Sequence, residues 1–279
     1  MPTPAGRLFL EQAREVVARS ADLGREMDLL RGLDKGELCI GAGTYPSATI
    51  VDRAITRLVR THPTIRLHIR IDHRENLLPL LRKREIDIAV IVVDELAESP
   101  DLHVTRLHRH QGYFVVRRGH PLVASKKVLT LQSILQFPVV MTSRLPTTML
   151  KRFLTAVYGD NPVPPAMKSF PPIACESVAM MKMIVAGTDG VTLMPLISVL
   201  TEVRSGELLV LPLVPPGLQY ECGVVRLAHR SLSPVGEALM RVLQEEDAQV
   251  LDLEEKAARE LFAVRRRTGT RTRAATSAR

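Results

Sequence analysis

The chain has 279 residues, of which 46% are hydrophobic and 24% are charged, with acidic and basic residues interspersed. This length and composition predict about two globular domains and exclude a mainly disordered chain. Aromatic residues make up only 4% and tryptophan is absent. The composition therefore argues against base-stacking platforms for single-stranded nucleic acid.

The net charge of +8 comes mostly from one end of the chain, because residues 265–279 contain six arginines and no acid. The rest of the chain is nearly neutral, so the charge does not by itself indicate a nucleic-acid-binding surface. We interpret residues 265–279 as a disordered basic tail that either keeps the protein in solution or attracts phosphate groups.

The three cysteines, Cys39, Cys175 and Cys222, form no closely spaced pair. Such spacing fits neither a disulfide framework nor a zinc site, and it indicates reduced thiols in a cytoplasmic protein. The N-terminus shows no basic and apolar leader, and the longest strongly apolar run, IDIAVIVV at 86–93, is too short to span a bilayer. We therefore expect a soluble protein without a membrane partner.

The first 34 residues predict a long helix that Thr3 caps and that Pro4 begins, with Gly32 near its end. Its apolar or small residues alternate in steps of four and three, which is the seam of a coiled coil. The seam consists of Phe9, Ala13, Val16, Ser20, Leu23, Met27 and Leu30. The alternative is a helix packed on its own domain. We favour a dimerising linker, because the helix precedes the first predicted strand.

From residue 36 the pattern changes to short strands that alternate with helices. Strands are predicted at 37–42, 65–71 and 86–93, with helices from about residue 48 and through 77–81. Such a β-α-β-α-β order implies a parallel sheet that binds ligands beyond the carboxyl ends of its strands. Ile65, Leu67, Ile69 and Ile71 share one face of the second strand.

A second unit of the same kind follows residue 123. It comprises predicted strands at 137–141, 191–194 and 208–214, helices near 147–158, 176–186 and 196–204, and a last strand at 222–228 before a helix from Ser233 onward. Two α/β lobes with a cleft between them is the simplest architecture for this order.

Over about residues 3–245 the sequence resembles the LysR-type transcriptional regulators. The resemblance rests on TPAGRLFLEQAREV, GELCIGA, HPTIRLHI, LLPLLRKREIDIAVI, VVRRGHPLV, MIVAGTDGVTLMP, GELLVLPL and HRSLSPVGEALMRVL, taken in this order and spacing. In that family a winged helix-turn-helix head is joined by a dimerising helix to an effector-binding domain. The resemblance implies an α/β, two-lobed type 2 periplasmic-binding-protein-like fold with mostly parallel sheets, preceded by a long linker helix.

The resemblance also implies a division of the chain into a linker, an effector-binding domain and an extension. These are residues 1–34; residues 35–246, with lobe I at about 35–115 and 222–246 and lobe II at about 116–221; and residues 247–279. The segment that would read DNA would lie before residue 1, so we expect the chain as given to bind no operator.

In this family the effector lies between the lobes, against the loops after the first and second strands and the loop that opens the second lobe. The corresponding residues here are Thr44, Tyr45, Ser47, His73, Thr142, Ser143, Arg144 and Thr147. Their hydroxyl, amide and guanidinium groups suit a small polar or anionic metabolite. The alternative is that the Ser and Thr residues only cap the helices that follow. His73 and Arg84 stand where glycine is common in the family.

Other polar residues give no catalytic signature. His103, His108 and His110 lie in one predicted strand, and we interpret them as exposed histidines because no ligand-spaced Cys or carboxylate accompanies them. Glu176 and Ser177 are predicted to begin a helix beside the cleft. No phosphate-binding loop or nucleophile with its base is recognisable. We therefore predict no enzyme, no catalytic residues, no metal and no cofactor.

The leading hypothesis is the effector-sensing and oligomerisation portion of a regulator. We expect a homodimer or homotetramer in which the linker seam and the strand that carries Ile69 form contacts. The alternatives are a solute-binding protein of a transport system, which shares the fold, and a metabolite sensor without a DNA-binding head. An enzyme on the same scaffold is the third possibility.

Overall fold

The computed structural model describes residues 36–94, 96–125, 128–145, 147–214 and 218–267, together with 3–6, 9, 12, 13 and 16. The predicted seam residues Leu23, Met27 and Leu30 lie outside the described residues. Phe9 and Val16 are described, are helical and are 71% and 66% exposed. Among the described residues, no helix has the length and apolar character needed to cross a membrane.

The first half of the described chain forms two β-α units and then two strands, the second of which is long. Its elements are β1 (Glu37–Ala42), α1 (Asp52–Thr61), β2 (Arg66–Ile71), α2 (Arg74–Arg82), β3 (Ile88–Val92) and β4 (Leu102–Arg117). Two short helical turns, Thr44–Pro46 and Ser47–Val51, lead into α1. The predicted alternation of strands and helices is confirmed in this half.

The second half continues the alternation of helices and strands and ends in a long helix. Its elements are α3 (Pro121–Ala124), α4 (Leu131–Ile134), β5 (Val139–Met141), α5 (Thr147–Tyr158), β6 (Ile173–Ala174), α6 (Val178–Gly187), β7 (Val191–Pro195), α7 (Leu200–Ser205), β8 (Leu208–Val210), β9 (Gln219–Leu227) and α8 (Pro234–Arg267). Side chains of Thr130 and Ser177 cap α4 and α6.

The strands are ordered β2-β1-β3-β9-β4-β7-β5-β6, with β8 beside β4. The outer strands of each lobe are parallel, as β1 is to β2 and β3 and as β5 is to β6 and β7. Strands β4 and β9 cross between the lobes and pair antiparallel, with an irregularity between Arg106 and Arg109. The two lobes are therefore joined by a pair of crossing strands.

Helix α8 is 34 residues long and contacts both lobes. Leu239 and Leu243 are buried with the core residues of β1 and β3, whereas Ala257 is buried in a second core cluster with residues of β7 and β8. The helix continues without a break through residue 246, where the resemblance to the family ends. Residues 247–263 are thus part of the packed protein.

Candidate functional site

A cavity of about 100 Å³ lies between the lobes, at the carboxyl ends of β1, β2 and β5. Parallel strands end at the same edge of their sheet, so the loops that follow them meet in this cleft. Thr44 lies after β1, His73 after β2 and Thr142 after β5. These three residues line the cavity.

The carboxylate of Glu176 binds polar groups of the loops that form this cleft, although Glu176 is not itself among the residues that line the cavity. Its Oε2 atom accepts hydrogen bonds from the hydroxyls of Thr44 at 3.0 Å and Thr142 at 2.6 Å. Its Oε1 atom accepts from the backbone N–H of Ser143 at 2.8 Å and lies 3.2 Å from Nε2 of His73. Thr44 and His73 belong to lobe I, whereas Glu176, Thr142 and Ser143 belong to lobe II.

This arrangement fixes the charge of Glu176. Partial burial raises its pKa, but the hydrogen bonds from Thr142, Ser143 and Thr44 outweigh that effect and lower the pKa to about 2. The side chain remains 42% exposed. Glu176 is therefore a carboxylate at any physiological pH.

The floor of the cleft is apolar. Met141, Met149, Leu193 and Leu218 line the cavity and also an adjoining enclosed pocket, which Phe114, Phe153 and Phe170 close from behind. Tyr45 also lines the cavity, and its hydroxyl donates to the backbone carbonyl of Leu193 at 2.9 Å. Burial raises the pKa of Tyr45 above its usual range, so its hydroxyl stays protonated.

The rim of the cleft carries paired charges. The Nε atom of Arg74 donates to Glu75 at 3.0 Å, and its Nη1 atom donates to the backbone carbonyl of Asp94 at 2.7 Å. Arg144 lies 3.8 Å from Glu75. Burial raises the pKa of Glu75, yet Arg74 and Arg144 contribute to a net lowering.

The predicted site residues fall into three groups. The cavity is lined by Thr44, Tyr45, His73, Thr142 and Arg144. Ser143 lies beside it, with its hydroxyl 3.2 Å from His73. Ser47 and Thr147 are not among the lining residues: the Ser47 hydroxyl donates to the carbonyl of Thr44, and Thr147 begins α5. The sequence predicts Glu176 at the start of a helix beside the cleft, but nothing in its local pattern indicates that it binds Thr44, Thr142 and Ser143.

The interpretation of the histidines as exposed is wrong for His110. Its side chain has no exposed surface, whereas that of His108 is 52% exposed. Nε2 of His110 lies 2.9 Å from Asp247, and Nδ1 lies 2.8 Å from Glu254. Both carboxylates come from α8, more than 130 residues away in sequence, so sequence spacing could not reveal them. No group of three or more possible metal ligands occurs in the described part of the chain.

The carboxylates determine the charge of His110. Burial lowers its pKa, but the hydrogen bonds with Asp247 and Glu254 raise it to about 9. Glu254 also accepts from the backbone N–H of Ile197 in lobe II at 3.1 Å. The His110 ring stacks on Tyr220 with 5.8 Å between ring centroids, and Tyr220 lines the cavity. A buried ionic cluster thus lies directly behind the cleft.

Two α/β lobes joined by crossing strands, with hydrogen-bond donors at the strand ends facing the cleft, define a ligand-binding domain of the periplasmic-binding-protein type. Residues 31–248 match the family model described as LysR substrate binding domain. The chain belongs to the LysR-type transcriptional regulators and contains their effector-binding domain, so the function inferred from the sequence is confirmed.

Relatives and solved structures agree with this assignment. The chain is 32% identical over 250 residues to the SDS degradation transcriptional activation protein of a Pseudomonas species, covering 88% of this chain and 79% of that one. It is 23% identical to the regulator GbpR of Azospirillum brasilense, covering 87% and 70%. In fold it is similar to a hydrogen peroxide-bound OxyR mutant from Corynebacterium glutamicum, with a TM-score of 0.62, 19% identity and coverage of 92% and 78%. The two sequence relatives are named as regulators of transcription, which disfavours the transport and enzyme alternatives.

Proposed function

We propose that the cleft senses an effector with an apolar body and one compact polar head group. LysR-type regulators bind small-molecule effectors and act as oligomers on DNA, and the sequence predicted a small polar or anionic metabolite. The observation that carries the narrower proposal is the apolar floor formed by Met141, Met149, Leu193 and Leu218, which continues into the adjoining pocket. Such a surface binds hydrocarbon by excluding water.

The relative that is 32% identical supports this chemistry. Its name connects it with the degradation of SDS, an alkyl sulfate with a long apolar chain. We infer an effector of the same broad kind, an amphiphile or a product derived from one. The polar head would lie among Thr44, His73, Thr142, Ser143 and Arg144, and the hydrocarbon would lie on the floor.

The size of the cavity supports a change in lobe spacing on binding. About 100 Å³ is less than the 300–1,000 Å³ typical of ligand pockets. An effector with more than a few heavy atoms therefore needs the lobes to move apart. Such an effector would bind the more open arrangement more tightly and would thereby increase its population. Movement at β4 and β9 would then change how the subunits of an oligomer are arranged.

We propose a homodimer or homotetramer that uses residues 1–34 as the linker and β2 as a lobe contact. Phe9 and Val16 on the linker, and Ile69 and Ile71 on β2, are large apolar residues that are 47–71% exposed in the single chain. Exposed apolar residues on two separate elements are typical of surfaces that are covered in an oligomer. A regulator that acts on DNA and has three free cysteines fits a cytoplasmic location.

The test is binding of straight-chain primary alcohols from butanol to octanol, measured by calorimetry and by thermal shift. Each added methylene should tighten binding about fourfold, because burying one CH₂ contributes about 0.8 kcal/mol. Leu145→Trp, which fills the cavity and the adjoining pocket, should abolish binding. Val128→Trp, at a residue that is 62% exposed and outside the lining, is the matched control. Affinity that is independent of chain length, or is unchanged by Leu145→Trp, would contradict the proposal.

A further inference from the structure

The hydrogen-bond donors of the cleft already hold a carboxylate that belongs to the protein. Thr44, Thr142 and the Ser143 amide converge on Glu176 at 2.6–3.0 Å, and His73 lies 3.2 Å away. A carboxylate has about four lone-pair positions, and Thr44, Thr142 and the Ser143 amide already occupy three of them. The donors come from both lobes, and Glu176 uses the hydrogen bonds that the anionic group of an effector would need.

An anionic head group gains little in this environment. To bind the anionic group, a donor must first release Glu176. One charge-assisted hydrogen bond then only replaces another of similar strength. If Glu176 stays in place, the second negative charge lies within a few ångströms of the first and is repelled. Two further carboxylates, Asp72 and Glu75, line the same cavity, and the cations Arg74 and Arg144 are both near Glu75.

We propose that Glu176 is a specificity-determining residue that makes the cleft select neutral or cationic head groups and reject anionic ones. A neutral hydroxyl can bind beside the occupied donors without charge repulsion, and an ammonium group gains from the exposed part of the carboxylate. Since this inference deepens the proposed function and rests on it, the experiment must separate the two.

The experiment compares three ligands with the same tail: 1-octanol, octylamine and octanoate. We expect the wild-type protein to bind octanol and octylamine at least tenfold more tightly than octanoate at pH 7. Glu176→Ala, which frees the donors, should tighten octanoate binding at least tenfold and change octanol affinity less than threefold. Glu176→Gln removes the charge but keeps one acceptor oxygen, so only part of the donors is released and octanoate should gain less than with alanine.

Glu207→Ala is the matched control, since it removes one exposed carboxylate from the same lobe outside the cleft lining. It should leave all three affinities unchanged. The inference is overturned if wild-type protein binds octanoate as tightly as octanol, or if Glu176→Ala brings no gain for octanoate.

A second readout does not depend on the apolar tail. Acetate at constant ionic strength should raise the melting temperature of Glu176→Ala relative to chloride and leave that of the wild type unchanged, because acetate can replace the missing carboxylate. Acetate rescue without any octyl-chain binding would refute the proposed amphiphilic effector and support the role of Glu176. Octanol binding without acetate rescue or octanoate gain would refute the role of Glu176 alone.

Discussion

His110 and Asp247 are 137 residues apart in sequence, yet Nε2 of the histidine lies 2.9 Å from Oδ1 of the aspartate. Nδ1 of the same ring lies 2.8 Å from Glu254, which also accepts from the backbone N–H of Ile197. Because both ring nitrogens face carboxylates, both must donate, and the ring is an imidazolium. One buried cation on the crossing strand β4 thus holds α8, and through Glu254 it reaches lobe II.

The ionic cluster predicts a stability that falls at alkaline pH. The pKa of His110 is raised from 6.5 to about 9, so the histidine stabilises the folded state fully below about pH 6.5. This contribution is lost as the pH rises through about 9. Urea unfolding between pH 5.5 and 10 should therefore show a decline in the free energy of unfolding above pH 6.5.

The decline should be absent in His110→Asn and retained in His103→Asn, whose histidine lies on the same strand but is exposed. An equal alkaline decline in His110→Asn and the wild type would show that another group causes it.

The pKa of Asp247 is lowered, because hydrogen bonds from His110 and His108 outweigh its burial. Its contribution is present above the pKa of an unfolded aspartate and is lost as the pH falls, so stability should also decline in acid.

Removal of one anion from the cluster should be costly. Asp247→Asn leaves the buried imidazolium with a single carboxylate and weakens the bonds to His108 and His110, and disruption of a buried ion pair costs about 3–5 kcal/mol. Asp252→Asn on the same helix removes an exposed pair with Lys256 and should change stability by less than about 1 kcal/mol. Denaturant unfolding measures both. Equal stability of the two variants would mean that the cluster does not hold α8.

The sequence predicted the strands and helices well because their patterns are local. The alternation in IRLHIRI and the buried run IDIAVIVV specify β2 and β3 without knowledge of the partner strands. The order of these units then implied the cleft, and Thr44, His73 and Thr142 do meet there. Such inferences need only the periodicity of the chain and the rule that parallel strands end at one edge.

The contacts of Glu176 and His110 could not be predicted in the same way. The partners of Glu176 lie 33–132 residues away, and spacing carries no information about such pairs. One signal for His110 was present, since Asp247 and Glu254 alternate with Val250 and Ala257 in steps of three and four. A carboxylate on the same helix face as buried apolar residues is itself buried, and a buried charge needs a partner of opposite charge. This pattern therefore indicates a buried cation.

The exposed apolar face of β2 predicts a contact between subunits. Ile69 is 47% exposed and Ile71 is 56% exposed, and β2 is an edge strand of the sheet. A charge at Ile69 should prevent burial of this face, so Ile69→Glu should lower the molecular mass measured by light scattering. Met183→Glu, at an equally apolar residue that is 75% exposed on α6, is the control and should leave the mass unchanged. An unchanged mass for Ile69→Glu would exclude β2 from the interface.

Alanine substitutions at Gly223 and Gly187 should have opposite effects on stability, because only Gly223 is closely packed. A Cβ atom on Gly223 in β9 would lie 2.6 Å from Cγ1 of Val93, which is 1% exposed and cannot move into solvent. Gly223→Ala should therefore destabilise the protein by about 1–3 kcal/mol, the usual cost of overpacking a core.

Gly187, the last residue of α6, provides the matched control because a Cβ atom there meets nothing within 4 Å. Gly187→Ala should raise the stability by up to about 1 kcal/mol, since alanine loses less backbone entropy than glycine in a helix. Urea unfolding of both variants tests the pair. A Gly223→Ala variant as stable as the wild type would contradict the close packing of β9 against Val93.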